Sequence, residues 1–506
     1  MKDDFHLSKR AFEIAPAFIS WSILLIFVLF SFLRPKVYAL LIISFDIFWV
    51  IRVGYLTSLL AIAHRRLNKE KNKNWWNLCI RLSDTRREKM SQAIIFPVYK
   101  EGLDVLVPSL EALKNTNYPK EKMIVVLAFE DRVKDSREKA KALESRYKDC
   151  FLIYLSTFHP ETIPGEARTK GANATWAAKI LKGFLDRRDI RYEDVIVSCF
   201  DADTCVEKEY FGCLLYHFLT TDKPFQCSYQ PIPVYNNNIW YAPSFARIIE
   251  ITASYCQLID SMRLEKFVTF SSHSMSFKTL IDVDYWPVDK VSDDSLIYWK
   301  AYLYFNGDYR VVPMYITVSM DVAYGKNSLQ TLVIQYKQKR RWAWGIEVFP
   351  FVMLSFRENK FIPLGIKIRK AFHILDSHIS WATWAIILAM ISPLAIILSS
   401  PLNLFKGAVI GFNLPRITGV LFNLTNITVL LWMALSFTFL PPKPKELKFR
   451  ARIKIVTQWL LAPIIMTIIG STPALDAQTR LALGRYMEFS YTEKNRKALE
   501  KPELSK

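Results

Sequence analysis

Two aspartates close an apolar run near the middle of the chain, where Val195-Ile-Val-Ser-Cys-Phe200 is followed by Asp201-Ala-Asp203. A buried strand that delivers such a pair to its carboxyl end can hold a hard cation, Mg2+ or Mn2+, against a diphosphate. The ion would offset the charge that grows on a departing nucleoside diphosphate. Asp201 could also contact the nucleotide directly. Further along, Val291-Ser-Asp-Asp-Ser295 sets Asp294 near a helix start. An ionised carboxylate there can serve as a general base if it reaches an attacking hydroxyl. Ser292 or Asp293 could simply cap that helix.

Three further groups carry the same chemistry outward. Phe129-Glu130-Asp131 ends another apolar run, so Asp131 could accept a hydrogen bond from a uracil ring or a ribose, or be an ordinary solvated acid. Arg168-Thr-Lys170-Gly-Ala-Asn173 opens a helix. A lysine beside a helix N-terminus suits phosphate, because exposed N–H groups and the dipole favour anions. A routine surface lysine would read the same way. Gln338-Lys-Arg-Arg341-Trp342 lies on a helical stretch whose basic face (Lys337, Lys339, Arg340, Arg341) could rest on lipid head groups. Alternatively Trp342 floors an acceptor-sugar site and Arg341 pairs with phosphate.

The elements that must position these residues alternate. Between about residues 88 and 320, β-branched runs at 92–98, 123–128, 151–155 and 195–200 predict buried strands. Helical patterns at 133–147 and 167–186 separate them. Such alternation predicts an α/β, Rossmann-like domain with a mostly parallel sheet, and ligands bind such sheets at the carboxyl ends of their strands.

Membrane-like sequence flanks this block. Residues 14–33 are uncharged and long enough to span a bilayer. A second apolar run at 37–61 contains Asp46 and Arg52, which are costly at membrane depth and are expected to face other helices. The basic stretch His64–Lys73 then puts the polar block in the cytoplasm by the positive-inside rule. Apolar runs resume at 379–400 and 417–440, with a shorter piece at 404–412 between them and a basic cluster from Lys443 to Lys454 after them. A third run, 455–475, is broken by Pro463 and Pro473 and could cross or re-enter. The predicted division is therefore 1–63 (two transmembrane helices), 64–87 (basic interfacial linker), 88–325 (catalytic domain), 326–372 (interfacial helices with Q-x-x-R-W), 373–475 (C-terminal transmembrane helices) and 476–506 (amphipathic tail).

The totals agree with that plan. The 506 residues leave room for two to four domain-sized units, and 51% apolar with 23% charged residues suits a membrane protein that carries a soluble domain. The net charge of +20 fits basic borders facing anionic lipid. Nucleic acid is not an expected partner, because the basic residues do not interleave with aromatics in a soluble repeat. The seven cysteines lack metal-ligand spacing, which points to free thiols in a reducing compartment.

In order and spacing, these motifs resemble those of membrane-bound family-2 glycosyltransferases, the group that contains cellulose, chitin and hyaluronan synthases. The likeness covers roughly residues 90–345 and implies a GT-A-type domain. It also implies a multi-pass protein of the cell membrane with its catalytic domain in the cytoplasm. It would make Asp131, Lys170 and Asp201 nucleotide contacts, Asp201 and Asp203 the Mg2+ or Mn2+ site, and Asp294 the catalytic base. Gln338, Arg341 and Trp342 would line the acceptor and diphosphate end. Phe489-Ser-Tyr-Thr492-Glu-Lys494 is similar to the gating loop of processive synthases, with Tyr491 in place of valine. The implied activity is inverting, metal-dependent transfer from a nucleotide sugar, UDP-linked by resemblance alone, to a growing glycan. Adding one sugar to a lipid-linked acceptor is the alternative. Three departures bear on that choice: Ser292-Asp293 replaces Thr-Glu, Phe270–Lys278 replaces a glycine-rich acceptor loop, and few spans follow Q-x-x-R-W. A nucleotide-binding transporter or receptor without catalysis would make Asp46 and Arg52 central, but leaves the acidic and tryptophan motifs unexplained.

Overall fold

A computed structural model describes residues 2–391, 409–441 and 457–488. The predicted piece at 404–412 lies largely outside these residues. So do the basic cluster from Lys443 to Lys454 and the gating-like Phe489, Thr492 and Lys494.

The predicted strands form. They are β1 (Ser91–Val98), β2 (Met123–Glu130), β3 (Ile153–His159) and β4 (Val195–Cys199). The sequence did not single out β5 (Cys205–Val206), β6 (Cys227–Val234), β7 (Ser274–Ser276) or β8 (Arg310–Ser319). One eight-stranded sheet runs β3-β2-β1-β4-β7-β6-β8-β5. β1 pairs in parallel with β2 and β4, β2 with β3, and β6 with β8. β7 runs antiparallel to β4 and β6. This is the Rossmann-like, mostly parallel, GT-A-type sheet.

Side chains alternate across the strands, so each face has its own core. Ile94, Phe96, Val125, Leu127 and Ile196 pack with Leu106, Leu110 and Phe211 on one side. Ala93, Ile95, Ile124, Val126 and Val197 face Ala174, Ala177, Ala178, Leu181 and Leu185 on the other. Those last five belong to the helix Lys170–Arg187. Alanines at i, i+3 and i+4 make one narrow stripe, which lets this helix lie close on the sheet. Its amino end therefore meets the carboxyl ends of the central strands.

Four helical runs are long and apolar enough to cross a membrane: Leu7–Leu33, Pro35–Lys71, Leu364–Ile391 and Gln458–Ala482. The last corresponds to the run predicted to be broken by two prolines. It stays helical for 25 residues because Pro463 and Pro473 sit in the first turns of its segments, with a π-helical stretch at Met466–Ser471 between them. A missing N–H costs little at such a position. Val409–Phe439 is a 31-residue helix too, although not one of those four. It packs on Pro35–Lys71, where the Trp432 indole donates to Thr57 Oγ1 at 2.9 Å. Arg52 meets Asp376 through two contacts of 3.0 and 3.3 Å, and Lys266 reaches the same carboxylate at 2.8 Å. Charge pairing thus explains Arg52 without a pore.

At Gly171 the helix end leaves no space for a side chain. A Cβ there would lie 2.3 Å from the Pro287 carbonyl oxygen and 2.8 Å from Asp293 Cβ. Gly171→Ala is expected to cost about 1–3 kcal/mol through overpacking, read as a lower thermal unfolding midpoint. Gly183→Ala in the same helix, where the nearest atom is Arg187 Nη1 at 3.8 Å, should not lower it.

Candidate active site

β4 ends at Cys199, and the next residue keeps the sheet's register: the Phe200 amide donates to the Ile95 carbonyl at 2.9 Å. Asp201 then turns into a cleft at the strand ends. Its Oδ1 lies 2.7 Å from Lys170 Nζ, and its Oδ2 accepts from the Ser271 hydroxyl at 2.7 Å. Lys170 is the first residue of its helix, capped by Thr169, whose Oγ1 accepts from the Ala172 amide at 3.3 Å. The same Lys170 ammonium meets both oxygens of Asp294, at 3.0 and 3.1 Å. Burial alone would lower the Lys170 pKa; attraction from Asp201 and Asp294 outweighs it and raises the pKa well above the usual value. One fixed cation therefore ties together two carboxylates that lie 93 positions apart in sequence.

Asp294 is held from several directions. It lies in the first turn of the helix Asp293–Tyr304, where the dipole favours a negative charge. Its backbone carbonyl accepts from Thr269 Oγ1 at 2.6 Å. Asp293 faces inward, nearly fully buried, and burial followed by repulsion from Asp294 pushes its pKa well up. Of the two adjacent acids, only Asp294 meets the Lys170 ammonium.

A tight turn supplies the other contacts. Ser272 adopts φ +65° and is completely buried, with its hydroxyl 3.0 Å from that of Thr204. A non-glycine residue in the left-handed region is uncommon and persists where its surroundings enforce it. Here the turn delivers Ser271 to Asp201 and His273 to Asp294. His273 Nε2 accepts from the Trp286 indole at 3.1 Å, which leaves Nδ1 as the donor, 3.0 Å from the Phe270 carbonyl and 3.6 Å from Asp294 Oδ1. Burial lowers the His273 pKa. It is a buried, neutral support for the turn.

The D-x-D pair separates. Asp203 is 1% exposed and its Oδ2 accepts from the Asp321 amide at 2.8 Å. It anchors the segment after β8 to the end of β4, while Asp201 alone lines the cleft. No cluster of three or more metal-ligating side chains occurs among the described residues. The cleft still fits a hard cation, because Mg2+ is commonly held by one or two carboxylates with substrate phosphates as the remaining ligands. Asp201 supplies such a carboxylate, whose Oδ1 would exchange its contact with Lys170 for the ion.

Asp131 does not enter the cleft. It is part-exposed and pairs with Arg137 at 2.7 Å. Glu130, the last residue of β2, lines the cleft instead, together with Tyr99, Glu101 and Arg132. Its register explains this: Glu130 still pairs with His159 across the sheet, so the strand carries its carboxylate inward and Asp131 begins the turn. Glu130 lies 3.1 Å from Arg132 Nε and 3.6 Å from His159 Nδ1, and His159 Nε2 lies 2.9 Å from Glu166. Burial favours the neutral imidazole; the adjacent Glu130 and Glu166 carboxylates outweigh it and raise the His159 pKa.

The helix Ser328–Ala343 brings in Q-x-x-R-W. Arg341 lines the cleft with Asp201 and Lys170. Trp342 lies behind it against Phe270 and Tyr235, with ring centroids at 5.7 and 5.6 Å. Gln338 is 6% exposed. Lys339 does not share the outer basic face: it is buried, 2.8 Å from Glu250 and 3.4 Å from the centre of the Trp342 ring. Helical periodicity alone could have shown this, since residues 337 and 340 share one side while 338, 339 and 342 turn toward others. Nothing in the sequence marked Glu250.

Residues 196–441 match the family model for glycosyl transferase family group 2. No curated protein matches the chain. Among solved structures, the mannosyltransferase PcManGT from Pyrobaculum calidifontis, in complex with GDP-Man and Mn2+, aligns with 84% of this chain and 99% of its own at 14% identity and a TM-score of 0.42. S. aureus TarS 1-349 aligns with 79% of this chain and 94% of its own at 14% identity and a TM-score of 0.37. The same TarS fragment in complex with UDP-GlcNAc gives 79%, 94%, 15% and 0.36. The family match spans Asp201 and Asp294, which meet on Lys170, and Arg341 of Q-x-x-R-W, and it makes residues 196–441 of this chain similar to glycosyltransferases of family group 2.

Proposed function

We propose that the protein is an inverting, metal-dependent glycosyltransferase. It moves a sugar from a nucleotide sugar, UDP-linked by the resemblance above, to a growing glycan at the cytoplasmic face of the cell membrane. The observation that carries this reading is the Lys170 ammonium held between Asp201 and Asp294. In this structure the lysine pairs with both acids and offsets one of their two charges. An arriving diphosphate competes for that ammonium and for Arg341, which frees Asp294 to accept a proton. The space between the cleft walls, about 90 Å3, is small for a nucleotide sugar. Entry of the donor must therefore part these contacts.

In the reaction, Asp294 takes the proton of the acceptor hydroxyl as its oxygen bonds to the anomeric carbon. The bond from that carbon to the diphosphate oxygen breaks on the opposite face, and the electron pair leaves with the nucleoside diphosphate. Bound Mg2+ or Mn2+ supplies charge neutralisation for that leaving group, with Asp201 as the protein carboxylate that would hold it. Lys170 and Arg341 contribute fixed positive charge on the same side. Glu130, Arg132 and Tyr99, which also line the cleft, are proposed to receive the nucleoside, the role expected of Asp131. Trp342 and Gln338 are proposed to face the acceptor. A growing glycan is favoured over a single addition by Q-x-x-R-W, and sizing of the product separates the two.

Three outcomes test this reading. Asp294→Asn should lower turnover of the nucleotide sugar by about 10²–10⁴-fold, with donor binding retained in equilibrium titration; near-normal turnover by folded protein would overturn the base assignment. Glu250→Gln should strand the buried Lys339 charge and loosen Trp342. Losing one member of such a pair costs about 3–5 kcal/mol. The expected result is a lower unfolding midpoint and a higher acceptor KM, with less change in donor KM. The third concerns pH. A raised His159 pKa means that the folded state holds the proton more tightly, so its stabilising contribution is complete below the ordinary value of 6.5 and is lost as pH climbs through the raised value. The unfolding midpoint should fall over that interval in the wild type and less so in His159→Gln.

A further inference from the structure

The outer side of the Q-x-x-R-W helix borders a second cavity, of about 280 Å3, in which the catalytic reading has no part. Lys337 and Arg340 come from that helix; Arg480 and Arg485 come from the end of the last apolar run and the turn after it. Arg340 and Arg480 share Asp476, at 2.9 and 2.8 Å. Among the described residues, no carboxylate pairs with Lys337 or Arg485. Glu488 also lines the cavity, so four cations face two acids and a positive excess remains.

Its location narrows the ligand. The apolar run Gln458–Ala482 ends beside the cavity, and Gly484 at φ +69° turns the chain out of the helix. The Arg10 guanidinium donates to the Ala482 carbonyl at 2.7 Å, satisfying one of the helix's orphan acceptors. Nearby the Trp21 indole donates to Thr479 Oγ1 at 3.0 Å, joining the first apolar helix to the end of the last. Tyr486 and Met487 add an amphipathic wall. Guanidinium groups are suited to phosphate oxygens.

We propose that this cavity binds the phosphodiester head group of an anionic membrane lipid, seated between the end of the last apolar helix and the back of the Q-x-x-R-W helix. The proposal rests on the reading of Gln458–Ala482 as membrane-spanning, and it is independent of sugar transfer. The phosphate could also come from solution, so the test carries both sources.

Full-length protein in mild detergent would be titrated with phosphatidylglycerol and, separately, phosphatidylcholine, and retained lipid counted by native mass spectrometry. The wild type should keep one phosphatidylglycerol in preference to phosphatidylcholine, and Lys337→Gln/Arg485→Gln should lose that preference. Equal retention of the two lipids by the wild type, or undiminished preference in a folded double variant, would overturn the proposal. The wild-type comparison decides even if the variant does not fold. Displacement of the lipid by an equal concentration of inorganic phosphate would instead assign a soluble anion and overturn the lipid source. Recovery of the chain in the soluble fraction without detergent would remove the membrane reading by itself, whatever the lipid result.

Discussion

A single ammonium group set between two carboxylates organises this molecule. Lys170 reaches Asp201 at the end of β4 and Asp294 at the start of a helix more than ninety residues later. Each acid brings its own support. The Ser271–His273 turn backs Asp201 and Asp294, and the close approach at Gly171 seats the lysine's helix against Asp293. Three like or opposite charges in one partly buried place must be balanced, since an unpaired buried charge costs far more than a surface ion pair returns. The sheet order, with the short antiparallel β7 beside β4, follows from the need to bring that turn to the strand end.

Much of this was legible in the sequence, for physical reasons. Three of the four predicted strands, β1, β2 and β4, are buried on both faces and appear as apolar runs without alternation, and the carboxyl ends of such strands are where open α/β sheets bind ligands. Lys170, Asp201, Asp294 and Arg341 are therefore found together. What stayed hidden depends on direction rather than identity. Glu130 and Asp131 are neighbours of the same type, and only the strand's register decides which points inward. Asp203 reads as a metal ligand beside Asp201; one of its oxygens, Oδ2, accepts from the amide of Asp321, more than a hundred residues away. The strands β6 to β8 escaped because prolines interrupt two of them and β7 is three residues long.

The Q-x-x-R-W helix shows how one short segment serves several environments. Arg341 looks into the cleft, Lys339 is buried against Glu250 and Trp342, and Lys337 and Arg340 face a separate basic cavity. A basic stretch that looks uniform in one dimension is thus divided among the cleft, the core and a second cavity. Such a helix joins the chemistry to its surroundings without any intervening domain.

The cluster of Arg52, Asp376 and Lys266 has a practical corollary for dissecting the molecule. Arg52 belongs to the second helix, Asp376 to a helix after the catalytic region, and Lys266 to the loop that leads into Phe270 and the Ser271–His273 turn. A fragment cut to begin after the N-terminal helices would leave Asp376 with one counter-charge instead of two. A fragment cut to end before residue 376 would strand Lys266, four residues from the turn that holds the reacting groups. Excision of the polar block for work in solution would therefore disturb the cleft itself, and a piece must run at least from residue 52 to residue 376 for that lysine to keep its partner and its partner to keep both cations.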